Sequence, residues 1–98
     1  MPRSELHEQI YTIVAQIPVG RVTTYGRIAK MTDGATARMV GSAMAGLPEG
    51  NGLPWHRVVN ASLKVTEHEG AVHQRERLRA EGVAFNARGR INPDLLWP

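Results

Sequence analysis

Apolar residues recur at helical spacing near the start of the chain, where Leu6, Ile10, Ile13, Val14 and Ile17 fall on one face. Ser4 is a capping type, and Glu5 and Glu8 follow in the first turns, where the helix dipole favours negative charge. Pro18 and Gly20 end the segment. A second, short helix is predicted from about Tyr25 to Met31, capped by Thr23 or Thr24, and Asp33-Gly34 then turns the chain. Thr36 caps a third helix, from about Ala37 to Ala45, closed by Gly46 and Pro48. Two short helices joined by a glycine-containing turn predict a helix-turn-helix. Beyond it, Val58-Val59 and Leu63-Lys64-Val65 predict a short hairpin in the position of a wing. A fourth helix is predicted from about Ala71 to Ala80, with Arg75, Glu76, Arg77 and Arg79 on its polar face and Gly82 as its stop. Val83 and Phe85 suggest a short strand, and Leu95-Leu96-Trp97 a segment that folds back onto the core. The expected fold is mainly α with a short β-hairpin, winged helix-turn-helix-like, in a single domain over residues 1–98.

Composition narrows the chemistry. The hydrophobic fraction of 42% is too high for a disordered chain, and no apolar run reaches the length of a membrane span. The first residues do not form a signal peptide, so the cytoplasm is the expected compartment, next to the nucleoid if the source is bacterial. There is no cysteine, hence no disulfide framework, no thiolate and no cysteine-based metal site. His7 is predicted on an exposed helix face, and His68 and His73 are too isolated to hold a metal, so neither a metal nor a cofactor is expected. The net charge is +3, and every basic residue except Lys30 and Lys64 is an arginine. Arginine pairs bidentately with phosphate and with guanine, which leans the balance toward nucleic acid. Between Pro18 and Arg57 the chain carries Arg21, Arg27, Lys30, Arg38 and Arg57 against only Asp33 and Glu49.

The third helix has an unusual surface, because Gly41, Ser42, Ala43 and Ala45 are all small. A glycine inside a short helix costs roughly 1 kcal/mol relative to alanine, so something should require it. Either this helix packs closely against another element of the protein, or its backbone lies against a second surface such as a DNA groove.

The segment Pro54-Trp55-His56-Arg57-Val58-Val59 resembles the active-site motif of the O6-alkylguanine-DNA alkyltransferases, whose pattern is Pro-Cys-His-Arg-Val. Three further blocks match in order and at similar spacing. Ile17-Pro18-Val19-Gly20-Arg21-Val22-Thr23-Thr24-Tyr25-Gly26 is similar to the family's Ile-Pro-x-Gly-x-Val-x-Thr/Ser-Tyr-Gly segment. Ala37 to Met44 resembles its recognition helix, and Arg79-Ala80-Glu81-Gly82 the end of its last helix. The resemblance runs from about Leu6 to Phe85.

The family transfers an alkyl group from guanine O6 to a cysteine thiolate, and here Trp55 stands at the acceptor position. An indole has a weakly acidic N–H and no nucleophilic lone pair, so transfer to a cysteine is excluded. The substitution resembles the alkyltransferase-like proteins, a non-enzymatic subgroup that binds the lesions and hands them to nucleotide excision repair. The resemblance therefore implies a monomer bound to duplex DNA containing O6-alkylguanine, without a cofactor or a membrane partner, and nucleotide excision repair proteins as later partners. It assigns Tyr25 to crowding the phosphate of the rotated nucleotide and Arg38 to filling the vacated stack. Arg38 lies in a first helical turn, where the dipole disfavours a cation, which strengthens a functional reading. Pro54, Trp55, His56, Val58 and Glu81 are the expected lesion pocket, with His68 and Glu69 as candidates for its second wall. Thr23, Thr24, Thr36, Ala37, Gly41, Ser42 and Ala43 are the expected minor-groove contacts. Arg57 either holds its loop or touches DNA.

The chain departs from the family elsewhere. Leu47-Pro48 replaces a frequent Asn-Pro, a hairpin glycine is replaced around Ser62-Leu63, and Thr66 to Gly70 aligns poorly. Two other classes compete. A sequence-specific winged helix-turn-helix regulator would account for the helices and charge but not for the Pro54-to-Val59 motif. A base hydrolase would use His56 and Glu81, though no nucleophile remains for that pair to activate.

Overall fold

The computed structural model describes residues 2–48 and 50–98, with side chains from Glu5 onward. Its order is α1 (Pro2–Ala15), β1 (Thr23–Thr24), α2 (Tyr25–Met31), α3 (Ala37–Ala45), a 3-10 turn (Trp55–Arg57), β2 (Val58–Val59), α4 (Ala71–Ala80) and a second 3-10 turn (Pro93–Leu95). Helix α1 begins at Pro2, ahead of the expected cap at Ser4, whose side chain lies outside the described residues, as does Glu49. Among the described residues no helix is long and apolar enough to cross a membrane.

Local chemistry explains the helix ends. Thr24 has extended backbone and its hydroxyl accepts from the Arg27 N–H, which starts α2. Thr36 does the same for α3 through the Met39 N–H. Between them Gly34 takes a φ of 105°, a conformation that side chains resist, and α2 and α3 pack on each other as a helix-turn-helix.

The mainly helical class holds, but the strand pairing differs from expectation. Val58–Val59 forms no hairpin with Leu63–Val65. It pairs in parallel with Thr23–Thr24, in register Thr23 with Val58 and Thr24 with Val59. The chain after Val59 makes a tight turn, in which the Asn60 side chain accepts from the Ser62 and Lys64 N–H groups. Phe85 forms only an isolated bridge to Ile91 rather than a strand. The C-terminal segment does return: Val22 donates to the Leu95 carbonyl at 3.1 Å and accepts from the Trp97 N–H at 2.8 Å.

This two-stranded sheet divides the interior, because successive strand residues face opposite ways. Val58 joins a cluster with Ile10, Val14, Ile17, Ile28, Val40 and Ala43 under the three N-terminal helices. Val59 joins Val22, Leu63, Val65, Ala71, Leu78, Val83 and Ile91 under α4 and the C-terminal segment. Tyr11 ties α1 to α3 by donating its hydroxyl to the Ala43 carbonyl at 2.9 Å.

The second cluster depends on α4. Leu78 is fully buried there, whereas Val72 on the same helix is 65% exposed. Leu78→Ala should cost about 2–5 kcal/mol, and Val72→Ala less than about 0.5 kcal/mol, in urea unfolding followed by circular dichroism. Equal costs would mean that α4 presents a different face to the core.

Candidate lesion pocket and nucleic-acid interface

The Trp55–Arg57 turn is held by one carboxylate. Glu81, at the C-terminal end of α4, accepts from Arg57 Nη2 at 2.7 Å and from Arg57 Nε at 3.0 and 3.1 Å. It also accepts from His56 Nε2 at 2.7 Å and from the Gly20 N–H at 3.1 Å. Arg57 completes the knot by donating Nη1 to the Ile17 carbonyl at 2.7 Å. Gly20 is needed at this crossing: its φ is +81°, and a Cβ there would lie 3.4 Å from the Glu81 carbonyl oxygen. Arg57 therefore holds its loop, the first of the two readings the sequence left open.

The knot fixes the charge states. Burial raises the Glu81 pKa, but its hydrogen bonds from Arg57, His56 and Gly20 outweigh burial and bring the carboxyl from 4.5 down to about 2. Burial lowers the His56 pKa below 6.5, with Glu81 pulling the other way. The neutral ring donates from Nε2 to Glu81, while Nδ1 is buried with no protein group in reach. His56 is only 2% exposed, which leaves the His56–Glu81 pair behind the site rather than in it.

In front of the knot lies a cavity of about 630 Å³. Tyr25 at the start of α2, Gly41, Met44 and Ala45 of α3, and Trp55 and Val58 form much of its lining. The rest comes from Thr66, His68, Glu69 and Gln74. Its size falls in the range of ligand pockets, about 300–1,000 Å³. Of the five residues expected to form the pocket, Trp55 and Val58 line it, whereas Pro54, His56 and Glu81 do not. The Thr66-to-Gly70 segment, where the family pattern was lost, supplies the second wall through Thr66, His68 and Glu69.

Gln74 was missed by the sequence reading. It is buried, donates Nε2 to the carbonyls of His56 and Val58 at 3.2 and 3.0 Å, and accepts from His68 Nε2 at 3.1 Å. One amide thus joins the Trp55 turn to the opposite wall. The signal was a glutamine on the inward face of α4, three residues after Ala71 and four before Leu78.

The expected DNA face is only partly exposed. Thr36, Ala37, Arg38 and Ser42 are exposed along α3, and Gly41 is half-buried at the cavity. Thr23 and Ala43 are fully buried, and Thr24 is 9% exposed with its hydroxyl capping α2. These three are corrections: sheet pairing and the α1–α3 contact take them inside. Arg21 is also occupied, donating to the Leu95 and Leu96 carbonyls at 3.0 and 2.8 Å. Arg27, Lys30 and Arg38 remain exposed. The Gly41 question is answered too, since an added Cβ would meet nothing within 4 Å. Packing inside the protein does not require that glycine.

A helix-turn-helix whose second helix borders a cavity walled by the second residue of a Pro-x-His-Arg-Val turn defines a DNA-alkyltransferase-type binding domain, here with tryptophan at the acceptor position. The chain belongs to the family described as 6-O-methylguanine DNA methyltransferase, DNA binding domain, which it matches over residues 5–83. It is 44% identical over 85 residues to the DNA base-flipping protein of Vibrio parahaemolyticus, covering 85% of each chain. It is 38% identical to alkyltransferase-like protein 1 of Schizosaccharomyces pombe over 99% of this chain and 98% of that one. The crystal structure of that yeast protein in complex with damaged DNA containing O6-carboxymethylguanine superposes with a TM-score of 0.83 at 34% identity, covering 97% and 96% of the two chains.

Two predictions follow from the knot and from Gly41. Glu81 has a depressed pKa in the fold, so its stabilising contribution is complete above its ordinary value of 4.5 and is lost as pH falls toward about 2. His56, held neutral, acts in the same direction as pH drops through 6.5. The thermal midpoint should fall steadily with acid, and Glu81→Gln should be less stable at neutral pH but flatter between pH 4.5 and 2. Parallel curves for the two proteins in that window would remove Glu81 from the hub. Gly41→Ala should stabilise the fold by up to about 1 kcal/mol in denaturant titration, because helix propensity improves without a clash. A loss of stability would show that α3 packs against another element at Gly41.

Proposed function

We propose that the protein binds O6-alkylguanine in duplex DNA and extrudes the altered base into the Trp55 cavity without removing the alkyl group. The observation that carries this reading is Trp55 itself, an aromatic wall of the cavity at the position where the family keeps its acceptor cysteine. An alkyl group on O6 removes the N1 proton and weakens pairing with cytosine, so the altered base leaves the stack at lower cost than normal guanine. The exposed, small-residue surface of α3 suits close approach to the minor groove, and Arg38, exposed in its first turn, fills the emptied stack in this reading. Tyr25 lines the cavity, and in this reading it meets the rotated phosphate. Since no covalent step follows, the bent complex persists as a mark for nucleotide excision repair proteins. The protein acts as a monomer in the cytoplasm.

The name of the Vibrio relative and the lesion in the yeast complex point the same way. Neither rival class gains an observation. His56 is too buried to present a base to water, and a regulator has no use for a 630 Å³ cavity beside its recognition helix.

A binding titration with matched duplexes tests the reading. O6-methylguanine duplex should bind more tightly than unmodified duplex, with the methylated base recovered intact. Equal affinities, or loss of the methyl group, would sink the proposal. Arg38→Ala should cost roughly 1–3 kcal/mol on lesion duplex and less on unmodified duplex, as for other stacking groups. A fluorescent base analogue at the lesion should lose its extrusion signal in that variant. With three exposed cations engaged, log K should fall against log salt with a slope of about −3. Gly41→Ala should weaken binding despite its greater stability.

A further inference from the structure

Another cavity, of about 580 Å³, adjoins the first, sharing Met44, Ala45, Trp55, His68 and Glu69 with it and continuing to Asn51, His73 and Arg77. The Trp55 indole thus borders both cavities. Two α4 side chains of the second cavity flank it: the His73 ring, with its centroid 6.2 Å away, and the Arg77 guanidinium, 5.9 Å from the indole centroid. The other α4 cations are engaged elsewhere, Arg75 with Glu67 and Arg79 over Phe85. Arg77 has no carboxylate partner among the described residues and is turned toward the compartment.

We propose that Arg77 makes this site selective for O6 substituents that end in an anion such as a carboxylate, with the second compartment holding that end. The inference rests on the base occupying the first cavity. A substituent on O6 of a base against Trp55 has two courses: it stops at the indole, or it passes the indole edge along the shared Met44–Ala45 wall. The second course ends beside a guanidinium, which binds carboxylates through paired N–H donors. Glu69, on the rim common to both cavities, opposes an anion there, so the preference is the difference between two fixed charges. Both side chains are exposed, which limits each effect to a few-fold.

The test uses four duplexes, carrying guanine, O6-methylguanine, O6-carboxymethylguanine and the neutral carbamoylmethyl isostere of the last. The two larger adducts match in size and differ in charge. The wild-type protein should bind the carboxymethyl duplex about 2–5-fold more tightly than the carbamoylmethyl duplex. Arg77→Gln should abolish that ratio and change methyl binding less than twofold, while Glu69→Gln should enlarge the ratio. Opposite signs in the two variants separate charge selection from a mere bracing of the indole by Arg77. A wild-type ratio near one, or an Arg77→Gln loss equal on all four duplexes, overturns the proposal and leaves lesion binding standing. If methylated and unmodified duplexes bind alike, the base-binding reading fails and this one with it.

Discussion

The site depends on the carboxylate of Glu81. Three segments far apart in the chain end at its two oxygens: the turn at Gly20, the Trp55–Arg57 loop, and α4 itself. A partly buried carboxylate of this kind is costly unless every lone pair is used, and here the Arg57 fork, the His56 ring and one backbone N–H use them. Removing it would leave the His56 ring and the Nε and Nη2 groups of Arg57 without their acceptor, so the group acts as a keystone more than as an isolated ion pair. The consequence for the cavity is positional. Trp55 is followed directly by the two anchored groups His56 and Arg57, and Gln74 holds the carbonyl of His56 within the turn and that of Val58 just after it.

That rigidity clarifies what replacing the acceptor residue does. The His56–Glu81 contact remains, but the neutral, buried imidazole has nothing in front of it to deprotonate. A group that would activate a thiol becomes scaffolding, and the volume that a small nucleophile would leave open is occupied by an indole that borders two cavities. Chemistry is lost while the geometry that presents residue 55 is kept.

How much of this was legible in the sequence follows from how local each interaction is. The bounds of α2, α3 and α4 were readable because Thr24 and Thr36 are capping types, and Gly34, Gly46 and Gly82 break helices at the right places. The strand pairing was not, since Val58–Val59 look like half of a hairpin and their partner lies more than thirty residues upstream. Trp55 and Val58 were placed at the pocket by resemblance and lie in its lining, which Tyr25, assigned to the phosphate, also joins. Small residues carried no facing information: Gly41 and Ser42 lie at the cavity and the surface, but Ala43 between them and Met44 is under α1. Thr23 was misassigned because a threonine ahead of a helix reads as polar surface, whereas here it is a sheet residue. Gln74 escaped because a single polar residue on an apolar helix face has no signature before its partners are known.

The parallel pairing of Thr23–Thr24 with Val58–Val59 also orders events in time. Closing a parallel contact across that span gains nothing until the intervening chain has been gathered, so such contacts form late, while neighbouring helices form from short-range encounters. The α2–α3 unit is local; the cavity is not, because Trp55 reaches its place only when β2 docks on β1. A chain caught midway in folding would therefore hold its helix-turn-helix without a compartment beside it. The ability to discriminate one base from another is the last property this molecule acquires as it folds, and the first it surrenders when it frays.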